Sequence, residues 1–269
     1  MHYGLHAGFG GLLGTELLAA LKGFGYTLLR VEQGLTLDDT RSIAHEVIAA
    51  GMTPLVVLFQ PEHVAALPPG CLAEADNEPD LAYPNRTIAP RGVMPHADYI
   101  DFTHRIAEQA PPDVQLLAGA VSNPNRRGVS YMRAVSPHLQ ARYWHSWHRY
   151  PTGGAKADWW TPHDGFRDRY DEVALMRAVA HGRPIAITEG GYHTAPRKGR
   201  WWQRSARWSQ DDVARLWQCE WSFWNRMGVE CAVRYQLNSG PNPDAALDTY
   251  GIRDVNGLFL PSAPVLALA

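Results

Sequence analysis

Short apolar runs of strand length alternate along the chain with stretches whose apolar residues recur every three or four positions. HYGLHAGF leads into TELLAALKGFG, where Leu17, Leu18 and Leu21 share one helical face that ends at a glycine. YTLLRVE precedes the helical stretch TRSIAHEVIAAG. TPLVVLF is apolar throughout, as in a parallel strand covered on both faces, and CLAEADNEP follows after a short connection. The alternation continues through a helix in ADYIDFTHRIAEQA, a strand in VQLLAGAV, a helix near SYMRAV and a strand in LQARYWHSWHRYP. A helix in RYDEVALMRAVAHG, a strand in PIAITEGG, a tryptophan-rich helix and a strand in CAVRYQL complete it. In SQDDVARLWQCEWSFWNRMG, Ser209 is placed to cap, Asp211 and Asp212 fall in the first turn, and Val213, Leu216, Trp217, Trp221 and Trp224 form a packing face. Eight strands separated mostly by helices predict a single (β/α)8 TIM barrel over residues 1–269, where a doubly wound sheet would more often use five or six. No internal repeat, low-complexity tract or linker divides the chain.

Composition narrows the function classes. A chain with 45% hydrophobic residues is able to bury a substantial core, and a formal net charge of -2 without a long basic run gives nucleic acid or an acidic membrane surface nothing to bind. No apolar run approaches the ~20 residues needed to span a bilayer, and MHYGLHAGFGG lacks the charged-then-apolar order of a secretory signal. The chain is therefore expected to be soluble, either cytoplasmic or exported with a signal removed, and the pattern specifies no oligomeric state. Cys71, Cys219 and Cys231 have no C-x-x-C spacing and are expected to be buried structural thiols. The ten tryptophans are the unusual feature. Trp159, Trp160, Trp201 and Trp202 lie in stretches rich in Gly, Pro, Lys and Arg, where two readings stand open: stacking on the apolar face of a sugar ring, or covering the barrel rim.

LAEADNEPDL, residues 72–81, crowds four carboxylates around one asparagine and one proline. Alone it reads as an acidic surface loop with Pro79 at a turn. In a barrel, however, the chemistry gathers at the carboxyl-terminal ends of the strands. Counting strands puts Glu78 at the end of the fourth and Glu189, in ITEGG, at the end of the seventh, so the two face each other across one rim.

These residues resemble the retaining glycoside hydrolases of clan A, a barrel superfamily that includes families 5 and 39. AEADNEPDL is similar to that clan's Glu-x-x-Asn-Glu-Pro, HRYP to the His-x-Tyr ending strand six, and PIAITEGGY to its Thr-Glu-x-Gly-aromatic ending. The tail TYGIRDVNGLFLPSAPVLAL resembles the final turn and closing helix. The resemblance implies a carbohydrate substrate with β-linkages, a carboxyl gap of ~5 Å, Glu78 as general acid/base and Glu189 as nucleophile. In such a pair one carboxyl carries its proton while the other is ionised, which burial and mutual repulsion promote. It further implies that Arg30 steadies Glu189, that Asn77 binds the hydroxyl next to the reacting carbon, and that His148 and Tyr150 line the cleavage subsite with Tyr150 donating to Glu189. On the stacking reading, Trp201 and Trp202 would bind substrate, and no cofactor or metal is expected. Strand eight departs from the clan: VRYQLNSG offers Tyr235 where a tryptophan platform is common. Arg30 has an alternative partner in Glu32 or Asp38, and Asn77 an alternative role in capping its loop.

Strand alternation places Glu74, Asp76 and Glu78 on one side, with Glu74 a structural acid bonded to an arginine and Asp80 at the solvent edge. Two other functions compete: a carbohydrate-binding barrel without catalysis, and a metal-dependent barrel hydrolase. Against the latter, His2 and His6 are four apart rather than two, and His145 and His148 point to opposite faces of a strand, with His145 a core or rim residue.

Overall fold

The computed structural model describes residues 1–7, 13–81, 93–150, 160–162, 166–192 and 208–235, together with Ile252, Asn256, residues 258–260, Ser262 and Ala263. Within these, eight parallel strands close into a barrel in chain order: β1 (His2–His6), β2 (Leu28–Glu32), β3 (Thr53–Leu58), β4 (Leu72–Ala75), β5 (Gln115–Val121), β6 (Tyr143–Arg149), β7 (Ile185–Gly190) and β8 (Cys231–Tyr235). Around it stand α1 (Thr15–Gly23), α2 (Leu37–Ala49), α3 (His96–Gln109), α4 (Arg126–Val135), α5 (Arg169–Ala180) and α6 (Gln210–Arg226). A 3₁₀ segment, Pro61–Ala66, follows β3 where the sequence predicts only a short connection.

Local chemistry accounts for the helix starts. Thr36 and Ser209 close reciprocal capping boxes with Asp39 and Asp212, and Asn125 and Asp168 cap α4 and α5. Because Thr36 is the cap, α2 begins at Leu37, ahead of the Thr40 suggested by periodicity. The predicted face of α6 is buried: Val213, Leu216, Trp217, Trp221 and Trp224 pack toward the barrel. Cys71 and Cys231 are buried as expected, whereas Cys219 on α6 is partly exposed, one correction to the sequence reading. The closing helix expected after residue 260 falls outside the described residues. No helix among them is long and apolar enough to cross a membrane.

Two cores result. The larger lies between strands and helices; the smaller fills the lower barrel with Leu28, Leu55, Leu72, Leu117, Ala186, Cys231 and Val233. Gly4 belongs to this inner layer, since a Cβ there would sit 2.7 Å from Val233 and 2.8 Å from Leu28. Above it the inward positions change character. Leu28 gives way to Arg30, Leu72 to Glu74, Gly4 to His6 and Val233 to Tyr235, each two residues further along its strand. The apolar layer supports a polar one at the carboxyl-terminal mouth.

Candidate active site

β4 ends at Ala75, earlier than a run of alternation through Glu78 requires. Asp76 and Glu78 both take the left-handed conformation, with φ of 61° and 49°. Such backbone costs roughly 1–3 kcal/mol per non-glycine residue and survives only where neighbours hold it. Here they do: Asp76 N–H donates to the Leu58 carbonyl (2.9 Å), Asn77 N–H to Asp76 Oδ1 (2.7 Å), and Glu78 N–H to the Ala120 carbonyl (3.0 Å). The Ala120 carbonyl is available because β5 bulges between Ala118 and Val121. Gly119 makes that bulge possible: at φ 122° its backbone passes so close to the Ser146 carbonyl that a Cβ would lie 2.4 Å from the oxygen. The expectation that Glu74, Asp76 and Glu78 share one strand face is therefore corrected; turn geometry, not alternation, aims Glu78.

Asp80 is a second correction. It is fully buried rather than at the solvent edge, accepting from the Ser122 N–H (2.8 Å) and Ser122 hydroxyl (2.9 Å), with Arg127 Nε at 3.5 Å. It ties the loop after β4 to the end of β5.

Glu78 and Glu189 meet over the polar layer. A carboxylate oxygen of each and a ring nitrogen of His148 all lie within 4.8 Å of one another. Glu189, near the end of β7, is flanked at both oxygens. Arg30 Nη1 donates to Oε1 at 2.5 Å, and the Tyr150 hydroxyl donates to Oε2 at 2.7 Å. His148 Nδ1 stands 3.5 Å from Glu189 Oε2 and 3.0 Å from Glu78 Oε1, between the two acids. Burial alone would raise the Glu189 carboxyl, but His148 and Arg30 outweigh it and hold it well below the usual carboxylate range. His148 is the converse case: burial opposes its charge, while Glu189 and Glu78 overcome that and lift its pKa above the ordinary 6.5.

Arg30 organises the floor. Its Nε donates to Glu74 Oε2 (2.8 Å) and its Nη2 to Asn77 Oδ1 (2.8 Å), so one guanidinium joins a structural acid below, the nucleophile candidate above and the asparagine of the β4 loop. Of its possible partners, Asp38 is exposed and pairs with Arg41, and Glu32 makes no ion pair with it. Burial works against the arginine's charge, but Glu74 and Glu189 reverse the balance and raise its pKa.

His6 was not foreseen as part of the site. It ends β1 in register with Arg30 on one side and Tyr235 on the other. Its Nδ1 lies 2.7 Å from Arg30 Nη1 and 3.2 Å from Glu189 Oε1. Burial, against the pull of Glu189, lowers its pKa, so the ring is neutral at neutral pH. Because a guanidinium only donates, Nδ1 must be the acceptor, and the short approach to Glu189 is not an ion pair. Tyr235 packs edge-on against His6 (5.2 Å) and Tyr150 (6.1 Å), and burial with the nearby Glu189 charge pushes its hydroxyl up to about 12.

Arg30, Asn77, Glu78, His148, Tyr150, Glu189 and Tyr235 are thus brought to one mouth. Trp201 and Trp202 lie outside the described residues. Trp160 packs edge-on against Tyr170 and Phe223, on the helical side of the barrel. His145 faces the same side, its Nε2 3.2 Å from the Ser136 hydroxyl, opposite to His148. Among the described residues, Glu78, His148 and Glu189 form the group spaced for a metal ion. There both acids are already met by protein groups, Arg30 touching Glu189 and His148 standing between the two with its charged form favoured, which suits a proton-handling pair better than a divalent cation.

No family model matches the chain, and no curated protein matches it in sequence. Solved structures do match in fold. A β-1,3-glucanosyltransferase of glycoside hydrolase family 17 from Rhizomucor miehei superposes with a TM-score of 0.60 at 11% identity, over 97% of this chain and 96% of that one. The GH53 catalytic domain of Ignisphaera aggregans gives 0.61 at 14%, over 98% and 91%. A triple mutant of an endo-β-1,4-glucanase from Xanthomonas axonopodis pv. citri gives 0.63 at 10%, over 97% and 96%. Identities this low speak to the barrel alone.

Proposed function

We propose that this protein is a retaining glycoside hydrolase acting on β-linked oligo- or polysaccharide, with Glu189 as nucleophile and Glu78 as general acid/base. The observation that carries the reading is the approach of the two glutamates, one oxygen of each lying within 4.8 Å of the other at the mouth of the barrel. A direct double displacement uses carboxyl groups about 5–5.5 Å apart, whereas inversion needs about 6.5–9.5 Å to admit a water. The solved structures of similar fold, which include a glucanosyltransferase and an endo-β-1,4-glucanase, support a glycosidase as the general kind of enzyme.

The electrostatics suit the assignment. In the first step the ionised Glu189 bonds to the anomeric carbon as the glycosidic C–O bond breaks, and the proton of Glu78 passes to the leaving oxygen. In the second, Glu78 takes a proton from water, the water oxygen bonds to the anomeric carbon, and Glu189 departs as a carboxylate. The negative charge therefore moves from Glu189 to Glu78 and back. His148, 3.0 Å from one acid and 3.5 Å from the other, faces a negative charge in both states, so the site need not reorganise as charge transfers. Arg30 and Tyr150 hold Glu189 on the side from which it attacks. Asn77, fixed by Arg30, is the candidate for binding the hydroxyl beside the reacting carbon.

A panel of β-glucans and aryl β-glycosides read by reducing-end or phenol release tests the activity, with the anomer formed first followed by proton NMR. Release of the β-anomer before mutarotation is expected. First formation of the α-anomer, or unchanged turnover in Glu78→Gln and Glu189→Gln, would overturn the mechanism. Full activity in a chelator is the expected result for this pair, and loss restored by a divalent metal would favour a metal-dependent hydrolase.

A further inference from the structure

β2 presents three residues inward in succession: Leu28 in the inner core, Arg30 against Glu189, and Glu32 one pleat higher at the mouth. Val31 between them packs in the outer core, which confirms the alternation. Glu32 is half-buried, yet among the described residues its carboxylate makes no hydrogen bond and no ion pair. Burial, together with the like charge of Glu189 and against the pull of Arg30, raises its pKa, and its own charge is felt at Tyr235, so it faces the same opening. The backbone around it is held fast. Gln33 N–H donates to the Val57 carbonyl (3.0 Å), Gln33 Oε1 accepts from the Phe59 and Gln60 N–H groups (2.9 and 3.1 Å), and Gly34 N–H donates to the Thr40 hydroxyl (3.0 Å). A rigidly mounted acid, partly desolvated beside another acid and lacking a donor, lowers stability unless something supplies that donor.

Resting on the glycosidase reading, we propose that Glu32 is a specificity-determining residue that accepts hydrogen bonds from two adjacent hydroxyls of the sugar seated above Arg30. A carboxylate offers two acceptor oxygens and no donor, which matches a pair of neighbouring hydroxyls and leaves both satisfied. The polar floor below it is tied together by Arg30, and Glu32, one pleat higher at the mouth, is placed to read the sugar's outer edge.

The test uses the full chain carrying Glu78→Gln, with and without Glu32→Gln or Glu32→Ala. Each protein is titrated calorimetrically with cellotriose, laminaritriose, their monodeoxy analogues and the glucosamine trimer. The expected loss in affinity on replacing Glu32 is about 10- to 100-fold for a triose carrying both hydroxyls, and is absent for the analogue that lacks one of them. The Glu32→Gln protein is expected to unfold at or above the temperature of its parent. Equal affinities across all proteins and sugars, no binding of any sugar, or a fall of several degrees in unfolding temperature would overturn the proposal. Tighter binding of the glucosamine trimer that vanishes in Glu32→Gln would also overturn it, by assigning Glu32 to an ammonium group. Turnover by the chain with Glu78 intact is measured separately, so sugar binding without hydrolysis would sink the enzymatic reading and still decide the role of Glu32.

Discussion

Strand β6 feeds two buried clusters of charge that differ in one respect. His148 and Tyr150 point into the barrel mouth, to Glu78 and Glu189. Arg149, between them in sequence, points outward to Glu220 at 3.1 Å and Glu172 at 3.5 Å. There Arg169 Nη1 meets Glu220 at 2.9 Å and stacks over Phe223 and Trp224 at 4.3 and 4.5 Å, while the Tyr192 hydroxyl donates to Glu220 at 2.5 Å. Two arginines face two glutamates in a space closed by α5 and α6. At the mouth, Arg30 and His148 face Glu32, Glu74, Glu78 and Glu189, so the acids are in excess and the site opens outward. A balanced, sealed cluster joins helices to strands; an unbalanced one at an opening is suited to exchanging protons and partners with a ligand.

That contrast is sharpest in the largest predicted effects. Glu189→Gln and Glu78→Gln should each lower kcat by about 10²–10⁴-fold or more, Glu78→Gln with little change in unfolding temperature and Glu189→Gln with a fall, since its depressed carboxyl stabilises the fold through His148 and Arg30, as steady-state rates and thermal melts will show. Glu220→Ala should do the opposite. By leaving Arg149 and Arg169 buried without that partner it should cost about 3–5 kcal/mol in urea unfolding, with near-normal activity per folded molecule. If Glu220→Ala instead abolished kcat without destabilising the protein, the division between the clusters would be wrong.

A smaller effect is expected for Tyr150→Phe. Its hydroxyl donates to the ionised form of Glu189, so removing it raises the carboxyl's pKa and moves the acidic limb of the pH–rate profile to higher pH, with kcat falling about tenfold. An unmoved acidic limb would show that the bond is not made during turnover. The smallest effect at neutral pH concerns His145, outside both clusters. Burial, with the nearby charges of Arg183 and His181, lowers its pKa to about 3 from the ordinary 6.5. Between those values the unfolded chain binds a proton that the folded chain does not, so stability falls as pH drops from about 6.5 toward 3, by up to about 1.4 kcal/mol per pH unit. Urea unfolding across that range should show a shallower slope in His145→Gln.

Much of the barrel was legible because its signals are local. Ser209 starts α6 through a bond three residues long, and the tryptophan face of that helix follows from a period of 3.6. The inward rows, apolar low in the barrel and charged near the mouth, follow from a period of two along β1, β2, β4 and β8. Asn77-Glu78-Pro79 and Thr188-Glu189-Gly190 carried the candidate pair in the same way, since strand counting placed both at one rim.

What the chain could not disclose by itself depended on contacts between residues far apart in sequence. Glu78 is aimed by a left-handed turn held to the bulge of β5, Asp80 is buried by Ser122, His6 acquires its role from Arg30 and Tyr235, and Arg149 finds its acids on α5 and α6. Periodicity specifies which face a residue takes within its own element. Only closure of the ring, which brings β1 against β8 and packs the helices around it, decides what each face meets.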